Sequence, residues 1–270
     1  MRRGRGPAAV LAAALLLTGC AQSVDPIERL GKKAAEGVRP HAAAPGHAYR
    51  RWGLTRPLAR FPAHPARPLA ARPAARGLPV VVDRVPTRDP VVFLTYDDGA
   101  DRDPRFADMV RDLRLPLTLF PGDRLAALGD RRLARLRALG AGIGNRTAGR
   151  RGPAGLPYAR RRAEICGRQD RLRTRLGVRP RFFRPAHGSP DPATLRAAAD
   201  CGISAIVLWR AALTPAGLVC AHGPRRLGPG DIVLVEPGEP ADAPLRERTA
   251  RVLREAQARG LTAARLEDYL

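Results

Sequence analysis

The chain has 270 residues, with 48 basic against 25 acidic side chains and a formal charge of +23 at neutral pH. The only lysines are Lys32 and Lys33, so nearly all of that charge is arginine. The basic residues are dispersed, aromatics make up only 4% and no zinc-finger or helix-turn-helix spacing occurs, which excludes a nucleic-acid module. Two readings of the charge stay open, a solvated surface or attraction to an anionic polymer or lipid.

The N-terminus carries Arg2, Arg3 and Arg5, then an apolar run over Pro7–Leu17, then Leu17-Thr18-Gly19-Cys20. The run falls short of the ~20 residues that a spanning helix needs, so it reads as an export signal. The ending resembles a bacterial lipobox, which implies a signal peptide over residues 1–19 and a diacylglyceryl anchor on Cys20. The other reading is an ordinary signal peptide with an incidental cysteine. On the lipobox reading the mature protein is exported and lipid-anchored on the extracellular side of the bacterial cell membrane.

Residues 20–78 are rich in Ala, Pro and Arg, as in PAHPARPLAARPAARG, and show no sustained apolar period. Such a stretch buries too little surface to offset its ordering entropy and is expected to be a disordered tether. It has no acidic residue after Glu36, which suits an anionic membrane surface or wall polymer. His41, His47 and His64 lie within it and are expected to face solvent.

From residue 79 to 270 the texture changes to strand-length apolar runs alternating with helical segments. VVFLTY is followed by the helical DPRFADMVRDLRL, then PLTLF, the helical DRRLARLRALG, AGIGN and a long helix near 158–176. RFFRP, the helical PATLRAAADCG, ISAIVLW, GDIVLV, the helical APLRERTARVLREAQARG and LTAARLEDYL complete the order. This alternation predicts an α/β fold with a parallel sheet closed or nearly closed into a barrel, its chemistry at the strands' C-terminal ends. Pro192 after Asp191 predicts a capped helix start. The final helix is expected to present Arg246, Glu247, Arg248, Arg251 and Glu255 on a solvated face.

The first strand runs into Asp97-Asp98-Gly99. Adjacent carboxylates repel unless a cation or shared proton lies between them. One could ligate a metal while the other acts as base; the alternative is a polar turn capping the next helix. VVFLTYDDG, AGIGNRTAGR, RFFRPAHGSPDPATLRAAADCGISAIVLW and GDIVLVEP together resemble the polysaccharide deacetylase family, the NodB-homology or carbohydrate esterase family 4 proteins, over roughly residues 85–270. The resemblance implies an irregular (β/α) barrel of the NodB-homology type. It also implies metal-dependent removal of N- or O-acetyl groups from chitin-like, peptidoglycan or xylan-type sugars.

By that resemblance Asp97 is the catalytic base, Asp98 a ligand of a divalent, zinc-type metal, and Arg184 the residue that orients the base. Tyr96, Pro185, His187, Gly188 and Trp209 stand at substrate-binding positions, with an oxyanion donor from the loop backbone. His187 replaces the usual aromatic. The family's two metal-binding histidines align with Arg146 and Arg150, an acidic position with Arg210, and the general-acid histidine with Glu236. Guanidinium has no lone pair to give a metal and stays protonated. One carboxylate is a poor zinc site, so the metal is not expected here. Three uses remain for the arginines: a salt-bridged cluster with Asp97 and Asp98, a grip on an acidic sugar or wall phosphate, or residual hydrolysis through another metal arrangement. Either the protein deacetylates cell-wall or chitin-type carbohydrate, or it is an inactive carbohydrate- or wall-binding lipoprotein. Its partners would be a carbohydrate polymer, the membrane through the anchor, and anionic wall polymer.

Cys166, Cys201 and Cys220 remain in the body. Export permits a disulfide, and no Cys/His spacing argues for zinc. Cys166 within one predicted helix and Cys201 at the end of the next form the favoured pair, although three pairings are possible and one cysteine must stay free.

Overall fold

The computed structural model describes residues 47–59, 77–98, 103–122, 129–147, 156–236 and 242–270, all within one unit, Ala43–Leu270. The signal peptide, Cys20, His41, His64, Gly99 and Arg150 lie outside the described residues, as do the tether over 20–46 and 60–76.

The central strand is β2, after β1 (Val80–Val82), and spans Val91–Tyr96 with every residue buried. Its two faces have different neighbours, as alternation requires. Val91 and Phe93 face an inner cluster with Phe120, Val207 and Ile232, while Val92, Leu94 and Tyr96 face an outer cluster under the helices. Burial on both faces explains why the sequence there is continuously apolar rather than alternating.

Eight of the other described strands are β3 (Thr118–Leu119), β4 (Gly142–Ile143), β5 (Asn145–Arg146), β6 (Phe182–Arg184), β7 (Ala205–Val207), β8 (Ala211–Thr214), β9 (Gly217–Cys220) and β10 (Ile232–Val235). Among the described residues these strands pair in parallel except in the β8–β9 hairpin, and an isolated antiparallel bridge joins Arg84 to Asp231. Two sheets result, ordered β1-β7-β6-β5 and β4-β3-β2-β10-β8-β9. Only Gly144 separates β4 from β5, and Leu208–Arg210 carry β7 into β8. The chain therefore passes from one sheet to the other twice, and the ring β2, β3, β4/β5, β6, β7/β8, β10 closes back on β2. The barrel is irregular because both handovers occur within a strand.

The helices cover this ring. In chain order they are α1 (Ala48–Arg51), α2 (Phe106–Leu113), α3 (Gly129–Ala138), α4 (Tyr158–Leu176), α5 (Pro192–Asp200) and α6 (Leu245–Ala258). Phe106, Met109 and Val110 place α2 on the barrel with the i, i+3, i+4 spacing of an amphipathic helix. Helix α5 starts where the sequence indicates, with the Asp191 side chain accepting from Thr194 N at 2.8 Å and Pro192 in the first turn. Arg161 also donates to Asp191, and this pairing holds the carboxyl down at about 2. A disulfide joins Cys166 of α4 to Cys201 beyond α5, with Cα atoms 5.0 Å apart, and leaves Cys220 free.

Two expectations are corrected here. Within the stretch read as a tether, residues 47–59 are folded onto the domain: Trp52 and Leu54 are buried in the outer cluster. Trp52 Nε1 donates to Asp112 Oδ2 at 3.2 Å, and Gln257 Nε2 donates to Arg56 O at 2.7 Å. Burying a side chain the size of Leu54 contributes about 1.5–3 kcal/mol, which with Trp52 and these hydrogen bonds offsets part of the cost of ordering the segment. His47 is exposed, as expected. Second, the final helix is not wholly solvated, since Arg248 is buried. The last strand, β11 (Thr262–Ala263), pairs with the start of β2, and a final 3-10 turn follows at Leu266–Asp268. Tyr269 then packs edge-on against Phe93, with ring centroids 5.0 Å apart.

Candidate functional site

Because the ring strands are parallel, their C-terminal ends share one rim. Asp97 and Asp98 follow β2, Pro121 and Gly122 follow β3, Arg146 ends β5, Arg184 ends β6, Trp209 follows β7 and Glu236 follows β10. The structure thus gathers at one mouth residues that lie up to 139 positions apart (97 to 236).

Arg184 is the anchor of this mouth and is fully buried. Its Nε donates to Val207 O at 3.0 Å, its Nη1 to Asp97 Oδ1 at 2.9 Å, and its Nη2 to Thr95 Oγ1 at 2.9 Å. Thr95 spends its own hydroxyl proton on Val233 O at 2.9 Å, so its oxygen is left to accept from Arg184. The guanidinium lies 4.2 Å from the Phe120 ring centroid and 5.3 Å from that of Trp209. Burial pulls the Arg184 pKa down, and the Asp97 carboxylate opposes that pull. These contacts fix Asp97 in place.

Arg146 reaches across both carboxylates. Its Nη1 donates to Asp98 Oδ2 at 2.7 Å, and its Nε lies 3.3 Å from Asp97 Oδ2, an ion pair without hydrogen-bond alignment. The remaining oxygen, Asp98 Oδ1, accepts from the backbone N–H of Gly122 at 2.5 Å. A Cβ at 122 would collide with that carboxylate, so any larger residue would displace Asp98 from this amide. Every oxygen of the two aspartates therefore faces a cation or an N–H, with two guanidiniums against two carboxylates. The adjacent charges that would repel are neutralised within the protein itself.

The surrounding residues hold this arrangement. Arg168 of α4 donates to Pro121 O and Gly122 O at 2.7 and 2.8 Å, placing the amide that caps Asp98. Asn145, next to Arg146, is buried and donates to Ile165 O at 3.0 Å and Gln169 Oε1 at 3.2 Å. Thr147 Oγ1 accepts from Ala186 N at 3.2 Å, tying the end of β5 to the 3-10 turn Ala186–Gly188 that contains His187.

The polysaccharide deacetylase model matches residues 84–206. An uncharacterized protein of Streptomyces coelicolor is 48% identical over the whole of both chains. Residues 84–206 thus form a polysaccharide deacetylase domain. Among solved structures it is similar to a peptidoglycan N-acetylglucosamine deacetylase, with a TM-score of 0.60 and 19% identity, covering 70% of this chain and 92% of that one. It is also similar to a carbohydrate esterase family 4 pseudoenzyme from Bacillus anthracis, with a TM-score of 0.59 and 16% identity, covering 71% and 69%. A mutant of that pseudoenzyme, described as having restored enzymatic activity, matches with a TM-score of 0.60, 17% identity and 71% coverage of both chains.

Deacetylases of this family are generally metal-dependent, but the donor set here does not fit a divalent ion. Among the described residues no group of three or more His, Cys, Asp or Glu side chains converges. The Arg146 guanidinium already bridges Asp97 and Asp98, and a cation placed there would meet a permanent positive charge with no lone pair to offer.

Other sequence-derived residues divide between the rim and the core. Tyr96 is not on the substrate side. Alternation along β2 turns it outward, where it is buried, its hydroxyl 3.0 Å from Thr249 Oγ1 and its pKa raised by burial. Pro185 is buried as well, while Gly188 sits under the Trp209 ring, where a Cβ would approach it to 3.4 Å. Arg210 is buried away from this mouth, bonded to Asp231 Oδ2 at 3.1 Å and Pro224 O at 2.7 Å. Glu236 is half-buried at the rim, and its amide donates to Leu213 O at 3.3 Å. It attracts Arg248, whose pKa burial pulls down. His222 lies elsewhere, with Nε2 2.5 Å from Asp83 Oδ2. Gly122, Phe120 and Arg168 carry no motif signal, and Thr95 lies within VVFLTYDDG without an assigned role, because these roles come from where the tertiary fold puts an amide, a ring, a fork and a hydroxyl.

Proposed function

We propose that this protein is a non-catalytic member of the polysaccharide deacetylase family that binds wall or chitin-type carbohydrate without deacetylating it. The observation that carries this reading is the position of Arg146, 2.7 Å from Asp98 and 3.3 Å from Asp97. A base that is paired on both oxygens and a ligand that is capped on both oxygens leave no room for a metal-activated water. The solved neighbour described as a family 4 pseudoenzyme supports a silent version of this fold, and its mutant with restored activity supports reversibility. Trp209, beside Gly188 and Arg184 on the rim, is the aromatic surface available for a sugar ring. The protein acts outside the cell, held at the membrane by a lipid on Cys20; replacing Cys20 with Ser would release it from the membrane fraction.

The test is acetate release from acetylated chito-oligosaccharides and from peptidoglycan, with zinc or cobalt added, beside sedimentation with insoluble chitin and peptidoglycan. The full-length protein is expected to release no more acetate than its Asp97→Asn variant, and to sediment with one of the glycans less well after Trp209→Ala. Acetate release that disappears in Asp97→Asn would defeat the proposal.

A further inference from the structure

The opposite mouth of the barrel, at the strands' N-terminal ends, contains a second constellation that the deacetylase motifs do not touch. A cavity of about 430 Å³ opens there between the residues preceding β10, β2 and β11. Four arginines line it, Arg84, Arg210, Arg226 and Arg259, against one lining carboxylate, Asp231. Asp231 is fully buried and is paired with arginines internally, although its Oδ1 accepts no hydrogen bond. Its Oδ2 accepts from Arg210 Nη1 at 3.1 Å and from Gly228 N at 2.8 Å, and its Oδ1 lies 3.3 Å from Arg84 Nε. Arg210 also donates to Arg226 O at 3.1 Å and Pro224 O at 2.7 Å, so the wall segment 224–228 is fastened to a buried pair.

The other three arginines keep donors in reserve. Arg84 uses Nε on Pro229 O at 2.8 Å, and Arg259 uses Nε on Glu255 Oε1 at 2.8 Å. Both Nη groups of each, and the whole Arg226 guanidinium, have no hydrogen-bond partner among the described residues. Three forks thus approach one cavity from three walls: the segment after β1, the loop before β10, and the end of α6. Like charges facing a shared concave space raise each other's free energy, and an anion placed between them relieves it. A carboxylate presents two oxygens in one plane, whereas a phosphate presents oxygens towards tetrahedral corners and can meet forks from several directions.

We propose that this basal cavity is a binding site for a phosphate group, as a phosphomonoester or phosphodiester, carried on a soluble or polymeric ligand rather than on a bilayer. Concavity favours that choice, because a flat lipid surface would engage exposed arginines all over the molecule rather than one recess. The site stands on residues 84, 226 and 259 alone and does not depend on whether the opposite mouth is catalytic.

The experiment is calorimetric titration of the full-length protein at constant ionic strength with inorganic phosphate, with glycerol phosphate and with phosphatidylglycerol vesicles. It is repeated on Arg226→Ala/Arg259→Ala and on Arg251→Ala, a surface control that removes one charge where the double variant removes two. Neither variant touches the Arg210–Asp231 pair, and thermal melting verifies that each folds. The expected result is saturable one-to-one binding of the soluble phosphates, weakened about tenfold or more in the double variant and unchanged in Arg251→Ala. Three results would overturn the proposal: no saturable binding, equal weakening in both variants, or binding to vesicles alone.

Discussion

The two mouths of the barrel use the same device and reach opposite outcomes. At the C-terminal mouth Asp97 lies between a fully buried arginine, Arg184 at 2.9 Å, and a half-exposed one, Arg146, whose Nε is 3.3 Å away. At the N-terminal mouth Asp231 lies between buried Arg210 at 3.1 Å and exposed Arg84, whose Nε is also 3.3 Å away. The upper mouth adds a second carboxylate, Asp98, and closes as a neutral, fully paired cluster. The lower mouth adds Arg226 and Arg259 and is left with an excess of positive donors. The same pairing thus balances charge within the protein at one opening, while at the other it leaves arginines unmatched.

Arg184→Met removes a buried guanidinium that serves Asp97, Thr95 and two carbonyls, and is expected to cost about 3–5 kcal/mol in urea denaturation. A loss under 1 kcal/mol would mean that the upper cluster is not structural. Asp231→Asn leaves Arg210 buried opposite a neutral amide and should cost about 2–3 kcal/mol. The smaller figure follows because burial raises the Asp231 pKa, so the native carboxylate already carries a desolvation cost. Arg146→Ala should cost about 1–2 kcal/mol near neutral pH, since this arginine is partly solvated. It would leave Asp97 with Arg184 alone and Asp98 with the Gly122 amide alone, so Arg146→Lys, which keeps the charge, should recover part of the deficit. No recovery in Arg146→Lys would show that charge neutralisation is not what Arg146 contributes.

The smallest effect comes from Glu267, beside Thr118 and Gly142. Burial raises its carboxyl pKa, against a hydrogen bond from Thr118 at 2.9 Å. The folded state therefore retains a proton that the unfolded chain releases. Its contribution is most favourable below the unfolded value and is lost as pH rises towards the folded one. Glu267→Gln should flatten that slope, gaining melting temperature relative to the parent as pH rises above the ordinary glutamate range; parallel pH profiles would count against it.

Much of this was legible in the chain. The continuous apolar run of β2 and the alternation with amphipathic helices indicated a parallel barrel. Asp97, Asp98, Arg146 and Arg184 were found because motifs place them at strand ends. The capping of Asp98 was not legible, because it uses the amide of Gly122, and an amide has no residue identity. Tyr96 was misplaced because a motif records neighbours in sequence, whereas the strand's alternation sends it to the outer layer. The docking of residues 47–59 was hidden by composition, since one tryptophan and one leucine outweigh the prolines around them. The basal arginines stand at 84, 210, 226 and 259, too dispersed for any pattern, and only the closure of the barrel brings them together.

The central claim is that Arg146 stands in for a metal ion between Asp97 and Asp98. The most direct measurement is zinc titration of the full-length protein beside its Arg146→His/Arg150→His variant, read by chelator competition. The account predicts that the parent binds no stoichiometric zinc and that the variant binds one equivalent, lost again when Asp98→Ala is added. One tightly held zinc in the parent, abolished by Asp98→Ala, would contradict it.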